Sequence, residues 1–297
     1  MKQVDRIYAS SGSASRRHVL GFGLALPLLG TVRAQTGDPG PELIARQMPL
    51  RGVVGIEHVG TSVPDVTRAG RFFGRVFNPF LYKEQEPPLR YYVTLDPGYI
   101  ALGGNAERAS GIIDHDCIMA EGYDRAAMGR RLEEEGLSQG RRGIFADPDR
   151  LRLQLLPFGG LAPSTEPAGA LVDGEPLVRP RGLYRTLRLV SDLDRSLAFY
   201  RKFLGPEAET DDEGTWFDVG STRFGLRQAA AEEEPRIDRF CVNVASGGYD
   251  RDAVAESLVA LGATVVREQR AFLHFVSPEG IGVELRPVDP ARIWGRA

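Results

Sequence analysis

Residues 56–65 read Ile-Glu-His-Val-Gly-Thr-Ser-Val-Pro-Asp and lead into the helical pattern of residues 68–77. β-Branched and polar residues alternate through the first part, as they do in a half-buried strand. Asp65 then offers a side-chain oxygen to the first amide groups of a helix, and apolar residues recur three and four apart after it. The stretch predicts a strand followed by a helix with one buried face.

The same pattern occurs again in the second half of the chain. Residues 186–192 (Thr-Leu-Arg-Leu-Val-Ser-Asp) lead into a helical pattern at residues 195–205, with Asp192 in the place of Asp65. The tripeptide Tyr-Asp-Arg at residues 123–125 recurs 126 residues later. The sequence therefore predicts two copies of the same strand and helix, one in each half of the chain.

Two further landmarks repeat with nearly the same spacing. Gly136 and Gly262, which end the predicted helices after the tripeptides, are again 126 residues apart. The predicted closing strands, residues 147–155 and 277–285, are 130 residues apart. Offsets this steady indicate an internal duplication.

Within each copy the order of strand, helix and strands also occurs twice, and the second round opens at Ile113 or Ile237. We therefore predict an α+β fold of two tandem domains, each built from paired βαβββ units. The predicted segments are domain 1 at 51–158, a linker rich in Gly, Pro and Ser at 159–180, domain 2 at 181–290 and a C-terminal tail at 291–297.

Residues 1–34 are predicted to be a signal peptide of the twin-arginine kind. Arg16 and Arg17 precede an apolar run of about a dozen residues, which ends at the small-residue cleavage site Val-Arg-Ala. The run is shorter than the roughly 20 residues that span a bilayer, so we expect cleavage and no stable membrane anchor. Residues 35–50 then form an N-terminal linker, and the expected location is periplasmic or secreted.

The alternative is a general-secretion signal in which the paired arginines only supply positive charge. Replacing Arg16 and Arg17 by lysine distinguishes the two routes. Twin-arginine export predicts that the precursor accumulates in the cytoplasm and that the mature chain, which begins near Gln35, is lost from the exported fraction. Export that cell fractionation finds unchanged would point to the general route.

Composition favours a globular protein that acts on a small molecule. The 297 residues carry a net charge of −3, whereas nucleic-acid binding needs a clustered basic surface. The only cysteines, Cys117 and Cys241, are predicted to be separate thiols, since two cannot form a disulfide framework. Histidine is also scarce: the chain has four, and His18 lies in the predicted signal peptide.

Several short motifs resemble those of a known superfamily. They are His-Val-Gly at residues 58–60 before Val-Pro-Asp, the segment Val-Ser-Asp-Leu-Asp-Arg-Ser-Leu-Ala-Phe-Tyr at residues 190–200, and Asp-Pro-Asp at residues 147–149. Together they resemble the vicinal-oxygen-chelate superfamily, which includes glyoxalase I, type I extradiol dioxygenases and bleomycin-resistance proteins. The resemblance covers about residues 52 to 288 and implies paired βαβββ units that curl into half-barrels around a divalent metal.

The resemblance also implies which side chains face the metal. In that family the ligands come from the first strand of each unit and the last strand of the second unit, and glyoxalases add one from the fourth strand of the first unit. In domain 1 these positions hold His58, His115 and Gln154, and the additional position holds Ala101. The implied cofactor is a divalent metal, Fe²⁺, Mn²⁺, Zn²⁺ or Ni²⁺.

The matching positions of domain 2 hold Arg185, Arg239, Glu284 and Gly225. Because arginine stays protonated, it has no lone pair to donate to a metal, and domain 2 is expected to be metal-free. Its two arginines either bind an anionic substrate or partner loop, or pair with Glu284 as the remnant of an older site.

The domain 1 site admits more than one interpretation. Gln154 stands where the dioxygenases have glutamate, and a neutral amide does not offset the charge of a divalent ion. His58 and His115 could therefore be leftovers of an ancestral site. In a third arrangement His58 meets Glu284 as a cross-domain ligand, which restores the carboxylate but leaves Arg239 where a histidine is needed.

Other side chains are candidates for contact with a substrate. Tyr92, on the strand before Ala101, could hydrogen-bond to a phenolic substrate, and aromatic packing explains it equally well. Strand alternation places Cys117 on the same face as His115, where a packed thiol is favoured over a nucleophile. His274, on the penultimate strand of domain 2, is the remaining imidazole that could act as an acid or base.

Two hypotheses from different classes follow. The first is an exported metalloenzyme, dioxygenase- or glyoxalase-like, in which two vicinal oxygens of a small molecule chelate the metal. Glyoxalase I itself is disfavoured, because Ala101 cannot supply a fourth ligand. The second is a metal-free small-molecule-binding protein of the bleomycin-resistance type, which Gln154 favours and the two histidines oppose. The oligomeric state is not predicted.

Overall fold

Four aspartates begin the four helices of the described residues. The Asp65 carboxylate accepts hydrogen bonds from two amides of the first turn, both at 2.9 Å. Asp124 and Asp250 cap their helices in the same manner, and Asp192 accepts from one amide. These bonds satisfy amide groups that the first turn of a helix leaves without partners. The helices are α1 (Val66–Val76), α2 (Arg125–Glu134), α3 (Leu193–Leu204) and α4 (Arg251–Ala260).

The computed structural model of the chain describes residues 53–158, 165–169, 171–268 and 272–289. The predicted signal peptide, the N-terminal linker and the C-terminal tail lie outside these residues. Residues 53–158 are called the first half below, and residues 171–289 the second half.

Segments rich in apolar and β-branched residues form the strands of both halves, and the long central strands are buried over most of their length. In the first half they are β1 (Val53–Val63), β2 (Tyr82–Glu84), β3 (Arg90–Thr94), β4 (Tyr99–Gly104), β5 (Ile112–Ala120), β6 (Ile144–Ala146) and β7 (Arg152–Pro157). A short strand, β8 (Thr165–Pro167), pairs with β2. In the second half they are β9 (Pro180–Val190), β10 (Glu209–Thr210), β11 (Thr215–Val219), β12 (Thr222–Gln228), β13 (Arg236–Ala245), β14 (Thr264–Glu268), β15 (Leu273–Val276) and β16 (Gly282–Val288).

All sixteen strands join one sheet, which together with the few helices makes a mixed α+β fold. In the first half β1 and β5 are antiparallel neighbours, and each pairs in parallel with the last strand of its own unit, β4 or β7. In the second half β9 and β13 are likewise antiparallel neighbours, and they pair in parallel with β12 and β16, respectively. The two halves meet where β5 and β13 pair at Ile113 and Ile237.

One predicted unit is shorter than expected. After α2 the chain forms β6 and β7 within residues 112–158, whereas the matching unit of the second half forms three strands after its helix. The segment between Gly136 and Asp147 is four residues shorter than the one between Gly262 and Ser277, which is the difference between the offsets of 126 and 130. The shorter segment turns back through a single 3₁₀ turn, Arg141–Gly143, and is too short for another hairpin. The prediction of a third strand here is wrong.

The strand registers place the predicted site positions at equivalent points of the two halves. His58 lies opposite Cys117, and Arg185 lies opposite Cys241. Gln154 on β7 pairs with Cys117 on the parallel strand β5. Glu284 on β16 pairs with Cys241 on the parallel strand β13 in the same way. The alignment of the two copies that the sequence predicts therefore agrees with the pairing of the strands.

The described residues of both halves belong to one compact unit, so the domain boundaries at residues 158 and 181 stay predictions. The helices α1 and α3 pack on strands of their own units, where Phe73 and Phe203 are buried. None of the described helices has the length and apolar character needed to cross a membrane.

Candidate metal centre

Two histidines from neighbouring strands face each other in the first half. His58 lies on β1 and His115 on β5, two residues before the cysteine that is opposite His58. Their Nε2 atoms are 3.3 Å apart, and their rings meet edge to face. His58 is buried, and the side chain of His115 is 16% exposed. The pair is therefore more exposed on the His115 side than on the His58 side.

The opposite nitrogen of each ring is held by a carboxylate. Nδ1 of His58 lies 3.0 Å from Glu57 Oε2, and Nδ1 of His115 lies 2.8 Å from Asp114 Oδ2. With carboxylate acceptors on these sides, each neutral ring carries its proton on Nδ1. In these tautomers both Nε2 atoms direct lone pairs toward each other. Metal-binding histidines have this pattern of carboxylate support.

The distance between the two Nε2 atoms fits two ligands of one ion. Nitrogen ligands about 2.0 to 2.1 Å from a tetrahedral zinc ion are roughly 3.3 to 3.4 Å apart. The 3.3 Å found between His58 and His115 agrees with that spacing. Two lone pairs at this distance repel each other unless a cation lies between them. The residues present therefore fit a divalent metal.

Both supporting carboxylates sit at β-bulges, which the alternation of residues in the sequence does not predict. Between Ile56 and His58 the register of β1 against β5 shifts, and Glu57 is the extra residue. A second shift makes Asp114 the extra residue on β5. Because a bulge changes the direction of a side chain, each carboxylate can reach the histidine that follows it in sequence. A regular strand would put the two on opposite faces.

Gln154 approaches the pair from β7, as the resemblance implies. Its Nε2 donates a hydrogen bond to the carbonyl oxygen of Arg142 at 2.7 Å, and its side chain lies beside His58. Since the amide nitrogen is directed to Arg142, the amide oxygen is the atom available for a ligand. The structure thus brings Gln154 and the two histidines together, and their role as ligands stays a prediction.

Burial sets the protonation state of His58. Loss of water around the ring lowers its pKa, the nearby Glu57 acts in the opposite direction, and His115 lowers the pKa further. The net effect is a lowered pKa, so the ring is neutral at pH 7 and its Nε2 lone pair is free of a proton.

A second donor cluster shares His58 with this pair. The ligand atoms of Glu57, His58 and Cys117 all lie within 4.8 Å of one another. However, Glu57 already accepts a hydrogen bond from Nδ1 of His58, and burial raises the pKa of the Cys117 thiol well above its usual value, with the charge of Glu57 adding to the effect. A protonated thiol is a poor ligand. We therefore favour the Nε2 side of His58, toward His115, over this cluster.

Aromatic rings support the first histidine. Tyr99 stacks on His58 with ring centroids 4.6 Å apart, and Tyr92 meets Tyr99 edge to face at 5.6 Å. Tyr92 is 9% exposed, and burial followed by its hydrogen bond to Glu84 raises its pKa. Its packing is therefore evident, and its contact with a substrate stays a prediction. Ala101 lies opposite Gly60 in the register and supplies no fourth ligand.

The equivalent positions of the second half hold a buried ion-pair cluster. Glu284 accepts hydrogen bonds from Nε of Arg185 at 3.0 Å and from Nε of Arg239 at 2.7 Å. The Arg185 guanidinium also pairs with Glu213 and lies over the ring of Trp216 at 4.6 Å. Of the two predicted roles for the arginines, the pairing with Glu284 is the one observed. Both oxygens of Glu284 are occupied in this way, which disfavours the cross-domain ligand.

Gly60 leaves the space that the His115 ring occupies. A Cβ atom at residue 60 would lie 2.1 Å from Cε1 of His115, far inside contact distance. We expect Gly60→Ala to displace the imidazole and weaken metal binding by roughly ten- to a hundredfold, the usual effect of losing support for a ligand. Titration with Mn²⁺ measures the change. Gly129→Ala is the control, since a Cβ there meets nothing within 4 Å, and equal affinity in both variants would contradict the placement of His115.

The fold and part of the sequence match known proteins. Residues 186–285 match the family described as Glyoxalase-like domain. The whole fold resembles a Mn(II)-bound glyoxalase from Novosphingobium aromaticivorans, at 18% identity and a TM-score of 0.57 over 81% of this chain and 85% of that one. The fold is that of the vicinal-oxygen-chelate superfamily. The resemblance inferred from the sequence motifs is thereby confirmed.

Ring-cleaving dioxygenases are also among the similar structures. A homoprotocatechuate 2,3-dioxygenase variant from Brevibacterium fuscum has 12% identity and a TM-score of 0.59, over 82% of this chain and 73% of that one. The 2,2',3-trihydroxybiphenyl 1,2-dioxygenase from Sphingomonas wittichii strain RW1 has 17% identity and a TM-score of 0.55, over 80% and 91%. No curated protein sequence matches the chain. At these identities the similarity establishes the fold and leaves the reaction to the site.

Proposed function

We propose that this chain is a metal-dependent enzyme, dioxygenase- or glyoxalase-like, that acts on a small molecule with vicinal oxygens. The observation that carries the proposal is the pair of Nε2 atoms of His58 and His115, 3.3 Å apart with both Nδ1 atoms on carboxylates. Gln154 would complete the ligand set. A divalent ion held there, Fe²⁺, Mn²⁺, Zn²⁺ or Ni²⁺, would supply Lewis-acid chemistry or oxygen activation.

The residues around the ligands have separate tasks in this proposal. Glu57 and Asp114 hold the Nδ1 protons and keep the two rings in their orientation. Arg152 donates to both oxygens of Asp114 at 2.6 Å, which fixes that carboxylate in turn. The two carboxylates also place negative charge beside the site, which partly replaces the charge that Gln154 lacks.

Three protein ligands favour a dioxygenase-like arrangement within this class. Ala101 leaves the fourth glyoxalase position without a donor, so more of the coordination sphere is open to a substrate. Two neighbouring oxygens of one substrate could then bind together. The test begins with purified chain that has been stripped of metal, which is titrated with each of the four ions under anaerobic conditions. Oxygen uptake by the metal-loaded chain is then measured after catechol is added. One ion per chain is expected.

The outcome of the metal titration also decides the second candidate function. Absence of stoichiometric binding for all four ions would favour a metal-free binding protein of the bleomycin-resistance type. The neutral Gln154 and the arginines of the second half are the observations that favour this metal-free function.

In either function we propose that the chain acts after twin-arginine export, a route that carries folded proteins.

Gln154→Glu tests whether residue 154 is a ligand. A carboxylate there adds a negative charge next to the ion, and we expect metal affinity to rise by roughly tenfold or more. The change also removes the hydrogen bond to the Arg142 carbonyl, so the metal-free variant should unfold at a lower temperature than the parent. Calorimetric titration and thermal unfolding measure the two effects. Gln154→Leu is the matched control, and equal affinity of the Glu and Leu variants would exclude Gln154 as a ligand.

A further inference from the structure

A cavity of about 210 Å³ lies in the second half, at the counterpart of the proposed metal centre. Arg239 and Glu284, which correspond to His115 and Gln154, line it. Its wall also contains Phe272 and Val266, which are apolar. The cavity is smaller than the usual site for a drug-sized ligand, so its size suits a small molecule with one ring or a short chain.

The acidic groups at the cavity already have cationic partners. Glu284 accepts hydrogen bonds from Arg185 and Arg239, and Glu213 pairs with Arg185. Asp238 accepts from Nη1 of Arg239 at 2.6 Å. Since each carboxylate is compensated by an arginine, the cavity does not repel an anion.

Several groups in the wall keep hydrogen-bonding capacity that no described residue uses. Arg227 forms no ion pair or hydrogen bond within the described part of the chain. Nη2 of Arg239 lies 3.8 Å from Glu213 Oε2, which is beyond hydrogen-bond distance. Oε1 of Glu213 is buried without a hydrogen-bond partner among the described residues. A ligand with a hydrogen-bond acceptor for Arg227 and Arg239 and a donor for Glu213 would satisfy these three side chains.

His274 adds a side chain to the cavity wall that can both donate and accept a hydrogen bond. Its ring lines the cavity and has no hydrogen-bond partner among the residues that the structure describes. Burial lowers its pKa, and the charge of Arg239 lowers it further. The neutral ring has one donor and one acceptor nitrogen, which suits a hydroxyl group.

We propose that this cavity is a second ligand site, which binds a small hydroxylated carboxylic acid with its carboxylate on Arg227 and Arg239 and its hydroxyl on His274. The planar guanidinium group of Arg227 matches a carboxylate with two parallel hydrogen bonds, and Nη2 of Arg239 supplies a further donor. Arg227 supplies the positive charge that no described carboxylate compensates. The site lies apart from the proposed metal centre and does not rest on it.

Calorimetric titration of the full chain with 4-hydroxybenzoate tests the proposal. This probe has a ring, a carboxylate and a hydroxyl group but no vicinal oxygens, so it is unsuited to chelate a metal. We expect one saturable site per chain. Arg227→Gln should weaken binding by roughly ten- to a hundredfold, because it removes charge-assisted hydrogen bonds. 4-Hydroxybenzyl alcohol, which lacks the carboxylate, should bind at least about tenfold more weakly than the acid.

Two variants keep this test separate from the metal centre. Arg223→Gln is the matched control, since Arg223 lies on the same strand, pairs with Glu209 at 2.6 Å and does not line the cavity. His115→Ala should leave binding of the acid unchanged. Absence of saturable binding, an unchanged affinity in Arg227→Gln, or loss of binding in His115→Ala would each overturn the proposal. The last result would place the acid at the first-half centre.

Discussion

Replacing His115 by alanine is expected to abolish stoichiometric metal binding. The remaining donors would be His58 and Gln154, one imidazole and one neutral amide, which are too few and too weakly charged to hold a divalent ion against water. The Nε2 of His58 would lose its neighbour at 3.3 Å. Elemental analysis after dialysis against Mn²⁺ or Fe²⁺ measures the loss, and circular dichroism verifies that the variant is folded.

Two controls make that result specific. His274→Ala removes another imidazole, in the second half, and should keep the full metal content. Asp114→Asn retains the ligand but weakens the support at Nδ1 of His115, so affinity should fall by roughly ten- to a hundredfold without disappearing. If His115→Ala keeps as much metal as His274→Ala, the histidine pair is a leftover of an ancestral site.

The sequence was sufficient to predict the mixed α+β fold and which residues of the two halves occupy equivalent strand positions. Capping aspartates, helical periodicity and steady offsets are local features, and the fold depends on them directly. The equivalence of His58 with Arg185 and of Gln154 with Glu284 agrees with the strand registers, because a register with one buried face is strongly specified. The shorter unit after α2 was visible only as a change of offset from 126 to 130.

The carboxylates behind the histidines could not be predicted from alternation. Glu57 and Asp114 each precede a histidine, so a regular strand would direct them to the other face. Bulges at both positions reverse that expectation. Asp238 is likewise the extra residue before Arg239 on β13, and its carboxylate also bonds to the side chain that follows. An acidic residue before a ligand position in a buried strand is the signal that could have found them.

The largest expected loss of stability concerns Arg188, which the sequence presents only as part of a strand. Its side chain is fully buried between the two halves. It pairs with Asp116 of β5 and with Asp147 at 3.2 Å, and it donates a hydrogen bond to the Arg152 carbonyl at 2.8 Å. Tyr200 donates to the same Asp147 oxygen at 2.6 Å. One cation thus holds two buried carboxylates at the junction of the halves.

Arg188→Met should destabilise the chain by about 3 to 5 kcal/mol, because removing one partner leaves buried charges without compensation. Methionine has similar length and no charge, so lost volume contributes little to the effect. Urea denaturation measures the change. Arg236→Met is the control, since Arg236 is 45% exposed in its pair with Glu233 and such pairs contribute about 0 to 1 kcal/mol. A second variant, Arg188→Met with Asp116→Asn, should recover part of the loss, because it removes one of the two uncompensated charges. Equal stability of the Arg188 and Arg236 variants would show that the junction does not depend on this network.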